Sequence, residues 1–369
     1  MYNIFITIGC DVVNSKISKL VFIAKRSLTL INDLVVKSLL THEVLEKIFT
    51  HIDNLKIVDL ILTLDELNRR YVNTDDLTWG YECEYRHNHF RNYVSKYLLL
   101  LMLEVVLNGK DDGSGPREIN SPPMNIFSID ELKLLTTALY ILKIDYVSEY
   151  DGIPCGRHIH INIFQDNEYS MYLKFARLIP LLTPLMANKI DENGKFMYRS
   201  RASYYARARI YYKYIDKERR YYFITYNPKS PRGTFEIRLN EASPIEAWFV
   251  ALTTVVLAKH GAKGLGSYRL SLSSIQELIE EGASFDTVLT SVTGRTFKLI
   301  EGFEALTNYV IDKVCEIDEN LAKLCSKIVE NVKNYRKVIT YSSIRELYPE
   351  LLINEVVEEL DKPLEIIVD

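Results

Sequence analysis

The sequence has no CxxC pair, no long apolar run and no excess of positive charge. Each absence removes a class of protein. The cysteines, Cys10, Cys83, Cys155, Cys315 and Cys325, are odd in number and widely spaced. That argues against a disulfide framework or a structural zinc site and suits a reducing compartment. The longest apolar runs, Leu98–Leu103 and Ala247–Ala258, fall short of the roughly 20 residues that a membrane-spanning helix needs. The opening MYNIFITIGCDVV is apolar, but it has no basic region and no small-residue cleavage site, so it does not read as a signal peptide. A net charge of −4 argues against an electrostatic nucleic-acid binder, so any anion site must come from local clustering. The expectation is a soluble, cytoplasmic protein with no membrane partner.

At 369 residues the chain suits one large domain with additions, or two domains. Its apolar fraction of 47% supports a folded core, not a disordered chain. Lysine, isoleucine and tyrosine are favoured over alanine and glycine. This bias points to an AT-rich genome, such as that of a virus or a thermophile, and so to the cytoplasm of such a host cell.

Residues 1–75 read as a helical N-terminal extension after a short opening strand. Leu34–Leu40 and Val44–Ile52 carry apolar residues at three and four spacing, with Thr41 as N-cap, and Thr63-Leu64-Asp65-Glu66 reads as a further helix start. Beyond Trp79, charged and apolar residues alternate in four segments: Gly80–Arg86, Arg117–Pro123, Gly156–Phe164 and Thr234–Asn240. Helical patterns at Asn92–Leu107, Ser128–Leu142 and Ser170–Met186 separate them, and Ile245–His260 follows. A turn-rich loop, Gly109–Pro116, precedes the second segment. Residues 265–345 read as mainly helical, with a start at Ser271 and a long amphipathic run from Phe303 to Val332. Pro363–Asp369 reads as a terminal strand or tail. The expected domains are the extension at 1–75, a catalytic domain at 76–345 and a tail at 346–369.

On a strand, residues two apart share a face. Glu82 and Glu84 therefore share one, as do His158, His160 and Asn162, and Glu236, Arg238 and Asn240. Their apolar neighbours take the opposite face. A half-solvated sheet alternates in the same way, but its wet face usually carries Lys, Thr, Ser and Gln. Glu-x-Glu on one face is repulsive unless cations neutralise it. A carboxylate-dominated set with histidine suits magnesium or manganese.

These motifs, Gly-x-Glu-x-Glu, Glu-Ile-x-Ser-Pro-Pro, Gly-x-His-x-His and Phe-Glu-x-Arg in that order, resemble the amidoligases related to glutamine synthetase and the glutamate–cysteine ligases. The resemblance runs from about Gly80 to His260. It implies an α+β fold: a glutamine-synthetase-like antiparallel β-sheet funnel with helices on its outer face. It implies an ATP-dependent carboxylate–amine ligase that works through an acyl phosphate, with Mg2+ (or Mn2+) as cofactor. By resemblance Glu82, Glu84, Glu118, His158 and Glu236 are metal ligands. His160 lies near the nucleotide phosphates, and Arg238 holds the transferred phosphate. Arginines between the last two strands contact nucleotide or substrate, with Arg199, Arg201 and Arg207 as candidates. The catalytic expectation falls on Glu236, Arg238 and His160. Partners would be small-molecule, peptide or protein carboxylates and amines, with a possible homo-oligomer and no nucleic acid.

The residue types suit that chemistry. A carboxylate is a poor electrophile until phosphorylated, and phosphoryl transfer is a matter of positioning and charge neutralisation. Two other readings compete. His158-Ile159-His160 fits the metal strand of an HUH-type endonuclease, with Tyr204, Tyr205, Tyr211 or Tyr212 as nucleophile, but this leaves Glu82, Glu84, Glu236 and Arg238 unused. The other reading is a non-catalytic structural protein that keeps the ligase fold. The basic tract Tyr198–Tyr226, with arginines among tyrosines, also fits a solvated hairpin or a nucleic-acid contact.

Overall fold

Alternation of small polar and large apolar residues along 78–85 builds the central strand of the molecule. The computed structural model describes residues 16–30, 34–70, 77–85, 94–111, 117–146, 149–150, 153–162, 175–198, 204, 206–208, 222–227 and 234–361. Its main sheet takes strands β1 (Thr78–Tyr85), β2 (Lys110–Asp111), β3 (Arg117–Asn120) and β4 (Met124–Asn125) from the first half of the chain. Two short ribbon strands, β5 (Glu149–Tyr150) and β6 (Ile153–Pro154), lead into β7 (Arg157–Asn162). A second ribbon, β8 (Lys189–Ile190) with β9 (Phe196–Met197), precedes β10 (Ile224–Asn227) and β11 (Thr234–Ile237). The main sheet runs β10-β11-β7-β1-β3-β2, with β4 also on β1, and every described pairing in it is antiparallel. The expected α+β architecture, an antiparallel sheet with helices on one face, is what the chain adopts.

One face of that sheet is core. Tyr81, Cys83, Tyr85, Ile119, Ile159, Ile161, Phe235 and Ile237 are buried there. The helix Pro244–His260 packs across β1 and β7 and is buried along almost its whole length. It is apolar on all sides, as a helix enclosed by protein must be. Trp248 Nε1 donates to the Ile126 carbonyl at 2.8 Å, and the Tyr81 hydroxyl donates to the Ala242 carbonyl at 2.8 Å. Helices Val94–Val106 and Ile129–Ile141 complete the layer, the second capped by Ser128 as its sequence signals.

The helices Lys16–Ser27 and Lys56–Arg70 pack on Val94–Val106 and on each other, and His42–Ile52 packs on Lys16–Ser27. Thr41 caps His42–Ile52, its hydroxyl accepting from Val44 N at 3.3 Å. Thr63 starts no helix. It lies inside Lys56–Arg70, where its hydroxyl donates to the Asp59 carbonyl. The true start is held from the other end of the chain: the Glu359 carboxylate accepts from Lys56 N and Ile57 N at 3.0 Å each. Glu359 belongs to the helix Asn354–Asp361, which packs on Lys56–Arg70.

Three further elements differ from expectation. The described part of 170–186 is a turn, a 3-10 segment (Ile179–Leu182) and a four-residue helix (Thr183–Met186), because Pro180 and Pro184 restart the chain twice. The run from Phe303 to Val332 is two helices, Leu299–Cys315 and Glu319–Lys333, divided where the Asp318 carboxylate accepts from Asn320 N and Leu321 N. A hairpin, β12 (Val288–Thr290) with β13 (Thr296–Lys298), interrupts the helical region. The opening strand and Pro363–Asp369 lie outside the described residues. Among the described residues no helix is long and apolar enough to cross a membrane, and Cys83, Cys155, Cys315 and Cys325 form no disulfide.

Candidate functional site

Register carries the site. Glu82 lies opposite His158, Gly80 opposite His160 and Glu236 opposite His160 in the next pairing. On the other side of β1, Glu82 lies opposite Asn120 and Glu84 opposite Glu118. All of these project from the face opposite the core, since a period of two fixes which side each residue takes. Side chains that span 155 residues of sequence, from Glu82 to Glu236, thus stand on four adjacent strands (236 − 82 = 154 steps).

The centre of this floor is a linked array. His158 Nδ1 donates to Glu82 Oε1 at 2.7 Å, and His160 Nε2 donates to Glu82 Oε2 at 3.1 Å. His158 Nδ1 also lies 3.4 Å from Glu236 Oε1. Arg238 donates to Glu236 Oε1, and the Thr225 hydroxyl donates to Glu236 Oε2 at 3.3 Å. Burial alone would push the Glu82 carboxyl up. The His158 charge and the hydrogen bonds from both imidazoles outweigh it and hold Glu82 well below the usual carboxylate range. His160 moves the opposite way. Burial would lower it, but the hydrogen bond to Glu82 and the charge of Glu236 raise it.

The second cluster sits one step along. Glu84 Oε2 accepts from Gly156 N at 2.5 Å, and Glu118 Oε1 accepts from Asn120 Nδ2 at 2.6 Å. Glu84 and Glu118 thus face each other across β1 and β3, with Lys110 opposite Glu118 on the next strand. Ser121, in the Ser-Pro-Pro turn, locks β3 to β1 by accepting from Tyr81 N at 2.8 Å and donating to the Pro122 carbonyl at 3.0 Å.

The sheet therefore gathers two hydrogen-bonded groups, Glu82 with His158 and His160, and Glu236 with Arg238, joined by the 3.4 Å His158–Glu236 contact, and sets Glu84 with Glu118 beside them. Among the described residues no group of three or more His, Cys, Asp or Glu stands in a ready metal-holding arrangement. Both Glu82 oxygens face imidazoles, and both Glu236 oxygens face donors. His158, however, has the form of a metal-binding imidazole: one nitrogen is anchored on a carboxylate, and Nε2 is buried with no hydrogen-bond partner.

Arg207 stands apart from the array. Its carbonyl accepts from Phe223 N beside the start of β10, and its guanidinium lies 5.3 Å from the centre of the Tyr204 ring. Arg199, Arg201, Tyr205, Tyr211 and Tyr212 lie outside the described residues. Arg238 is just past the end of β11, its N–H donating to the Phe223 carbonyl at 2.9 Å. The sequence reading passed over Thr225. It lies within the Tyr- and Arg-rich tract, and only its pairing with Glu236 reveals it.

No family model and no curated protein sequence matches the chain. Two of the solved structures that resemble its chain trace are complexes of one ligase. One is the ligase PafA in complex with the prokaryotic ubiquitin-like protein Pup, with TM-score 0.43 and 11% identity, over 77% of this chain and 67% of that one. The other is the Pup ligase PafA in complex with ADP, with TM-score 0.44 and 11% identity, over 74% of this chain and 69% of that one. A likeness at that level is one of partial chain trace, and the functional reading rests instead on the residues of the sheet.

Proposed function

We propose that this chain is an ATP-dependent carboxylate–amine ligase that forms an amide bond through an acyl phosphate, with the polar face of the main sheet as its active site. The observation that carries the reading is the array Glu82–His158–His160–Glu236–Arg238, drawn from separate strands and linked by hydrogen bonds and the His158–Glu236 ion-pair contact on the face turned away from the core. A merely solvated face has no reason to concentrate two imidazoles, a guanidinium and four carboxylates.

A divalent cation, magnesium or manganese, suits the chemistry of these donors, which would have to regroup around it, since no three of the described ones stand together now. His158 Nε2, Glu84 and Glu118 would hold it, with Glu82 fixing the His158 tautomer from behind and Glu236 at the far edge. When bound, such a cation supplies charge neutralisation for phosphate oxygens. The chain's own residues do the rest. Glu82 and Glu236 strengthen the hold of His160 on its proton, and its ring N–H would face an anionic oxygen. Arg238 is aimed by Glu236 and supplies a fixed guanidinium for a phosphoryl or acyl-phosphate group. Thr225 in turn fixes Glu236. Arg207, Arg199 and Arg201 remain candidates for nucleotide or carboxylate contact. The substrates would be a carboxylate and an amine borne by small molecules, peptides or proteins.

The test is ADP release with pooled carboxylates and amines, comparing wild type with Glu236→Ala. The reading expects amine-dependent release in the wild type and a fall of at least about 100-fold in the variant, with the variant's circular dichroism unchanged. Equal turnover would refute it. A wild type that binds no nucleotide would return the chain to the class of structural proteins.

A further inference from the structure

Gly80 sits in the middle of β1, on the polar face, in register with His160. Nothing in the fold demands a glycine there. Its backbone is not in the left-handed region, and a Cβ would meet only Ser121 Oγ at 3.8 Å and His160 Cβ at 3.9 Å, which are ordinary contacts. A glycine inside a strand weakens it, and without a packing reason it marks a place where another group approaches the backbone closely.

On the side of the bare patch away from Glu82, Thr78 and Asn162 face each other across β1 and β7, two residues along each strand from the Gly80–His160 pair, and Ser121 lies beside Gly80. These are neutral. The Gly80–His160 row is the boundary: Glu236 lies opposite His160 within it, and Glu82, Glu84 and Glu118 lie beyond it. The Asn162 side-chain oxygen is buried and accepts no hydrogen bond, so it lacks a donor. A nucleotide has the matching polarity, with a neutral hydroxylated sugar at one end and an anionic phosphate chain at the other. A cationic amine substrate would instead prefer the carboxylate end.

We infer that Gly80 is the seat of the nucleotide's sugar, with a ribose hydroxyl donating to the Asn162 side-chain oxygen; this rests on the ligase reading. Gly80 is thus a positioning and specificity residue. A methyl group at 80 would be tolerated by the fold and would lift the sugar off the strand.

The experiment is calorimetric titration of magnesium-ATP and magnesium-2′,3′-dideoxy-ATP into wild type, Gly80→Ala and Asn162→Ala, with thermal melting of each. Gly80→Ala should melt at or above the wild-type temperature and bind ATP at least about tenfold more weakly. Wild type should prefer ATP to the dideoxy nucleotide by about tenfold, and Asn162→Ala should not discriminate. Wild-type affinity in Gly80→Ala, or a markedly lower melting point for it, would overturn the seat. Equal binding of the two nucleotides by wild type would overturn the hydroxyl contact. Failure of wild type to bind ATP at all would remove the ligase reading itself, and the inference with it.

Discussion

Two kinds of buried donor occupy opposite sides of the same sheet. On the polar face, the Arg238 guanidinium and the two imidazoles are met by carboxylates, Glu236 and Glu82. On the core side, cations are held by main-chain carbonyls. Arg157, fully buried, donates to the carbonyls of Glu241 and Asp145 at 3.2 and 3.3 Å and lies over the Tyr146 ring. Lys337, also buried, donates to the carbonyls of Pro184 and Leu185 at 2.8 and 2.6 Å. The difference separates roles within one fold. Carbonyls cannot leave their cation, so Arg157 and Lys337 pin loops to the core. The carboxylate-bound donors sit at a partly open surface, where an incoming anion can compete for them.

The largest effect should come from the core side. Arg157→Met keeps the length of the side chain but leaves the carbonyls without donors. It should cost about 3–5 kcal/mol in urea denaturation. Arg238→Met, at a partly exposed site, should cost about 1 kcal/mol while abolishing ligase turnover. Equal losses of stability would break the comparison.

Lys337 gives the next effect, through pH. Burial pushes its amine down to about 8, and the Glu246 charge opposes this only in part. The charged form is therefore disfavoured in the fold, and the unfolded chain binds more protons above pH 8. Stability should rise between pH 8 and the onset of tyrosine ionisation, toward a limit of about 3 kcal/mol. Denaturation of wild type across that window, with Lys337→Met as the variant that lacks the rise, checks both sign and source. A fall in wild-type stability over that window would contradict it.

The smallest effect concerns the facing carboxylates Glu84 and Glu118. Glu118→Gln should change stability by no more than about 1 kcal/mol in chelator, but it should weaken the stabilisation that magnesium gives the wild type. Melting with magnesium and with chelator measures both; an unchanged magnesium effect in the variant would remove Glu118 from the cation site.

The polar floor was readable in the sequence because its code is local. Glu82 with Glu84, His158 with His160 and Glu236 with Arg238 each declare a shared face within three residues. What placed them together, the register of β1 against β7 and of β7 against β11, is non-local and became visible only with the fold. Strand β10 stayed hidden because Ile224–Asn227 ends a tract whose tyrosines and arginines suggest a charged hairpin. The start of Lys56–Arg70 stayed hidden because its cap, Glu359, lies about 300 residues away. Pro180 and Pro184 were legible as breakers and should have shortened the helix expected at 170–186. Arg157 reads as a polar residue beside a histidine strand, and its partners in the core, among them the carbonyls of Asp145 and Glu241 and the Tyr146 ring, are visible only in the fold.

The central claim is that this face binds a divalent cation together with nucleotide, through His158 held by Glu82. Equilibrium dialysis of Mn2+ with excess ATP and a protein-free control measures it directly. Wild type should retain Mn2+ beyond the control, and His158→Ala should bind it about 10- to 100-fold more weakly. Equal retention by the two proteins, or none by either, would contradict the account.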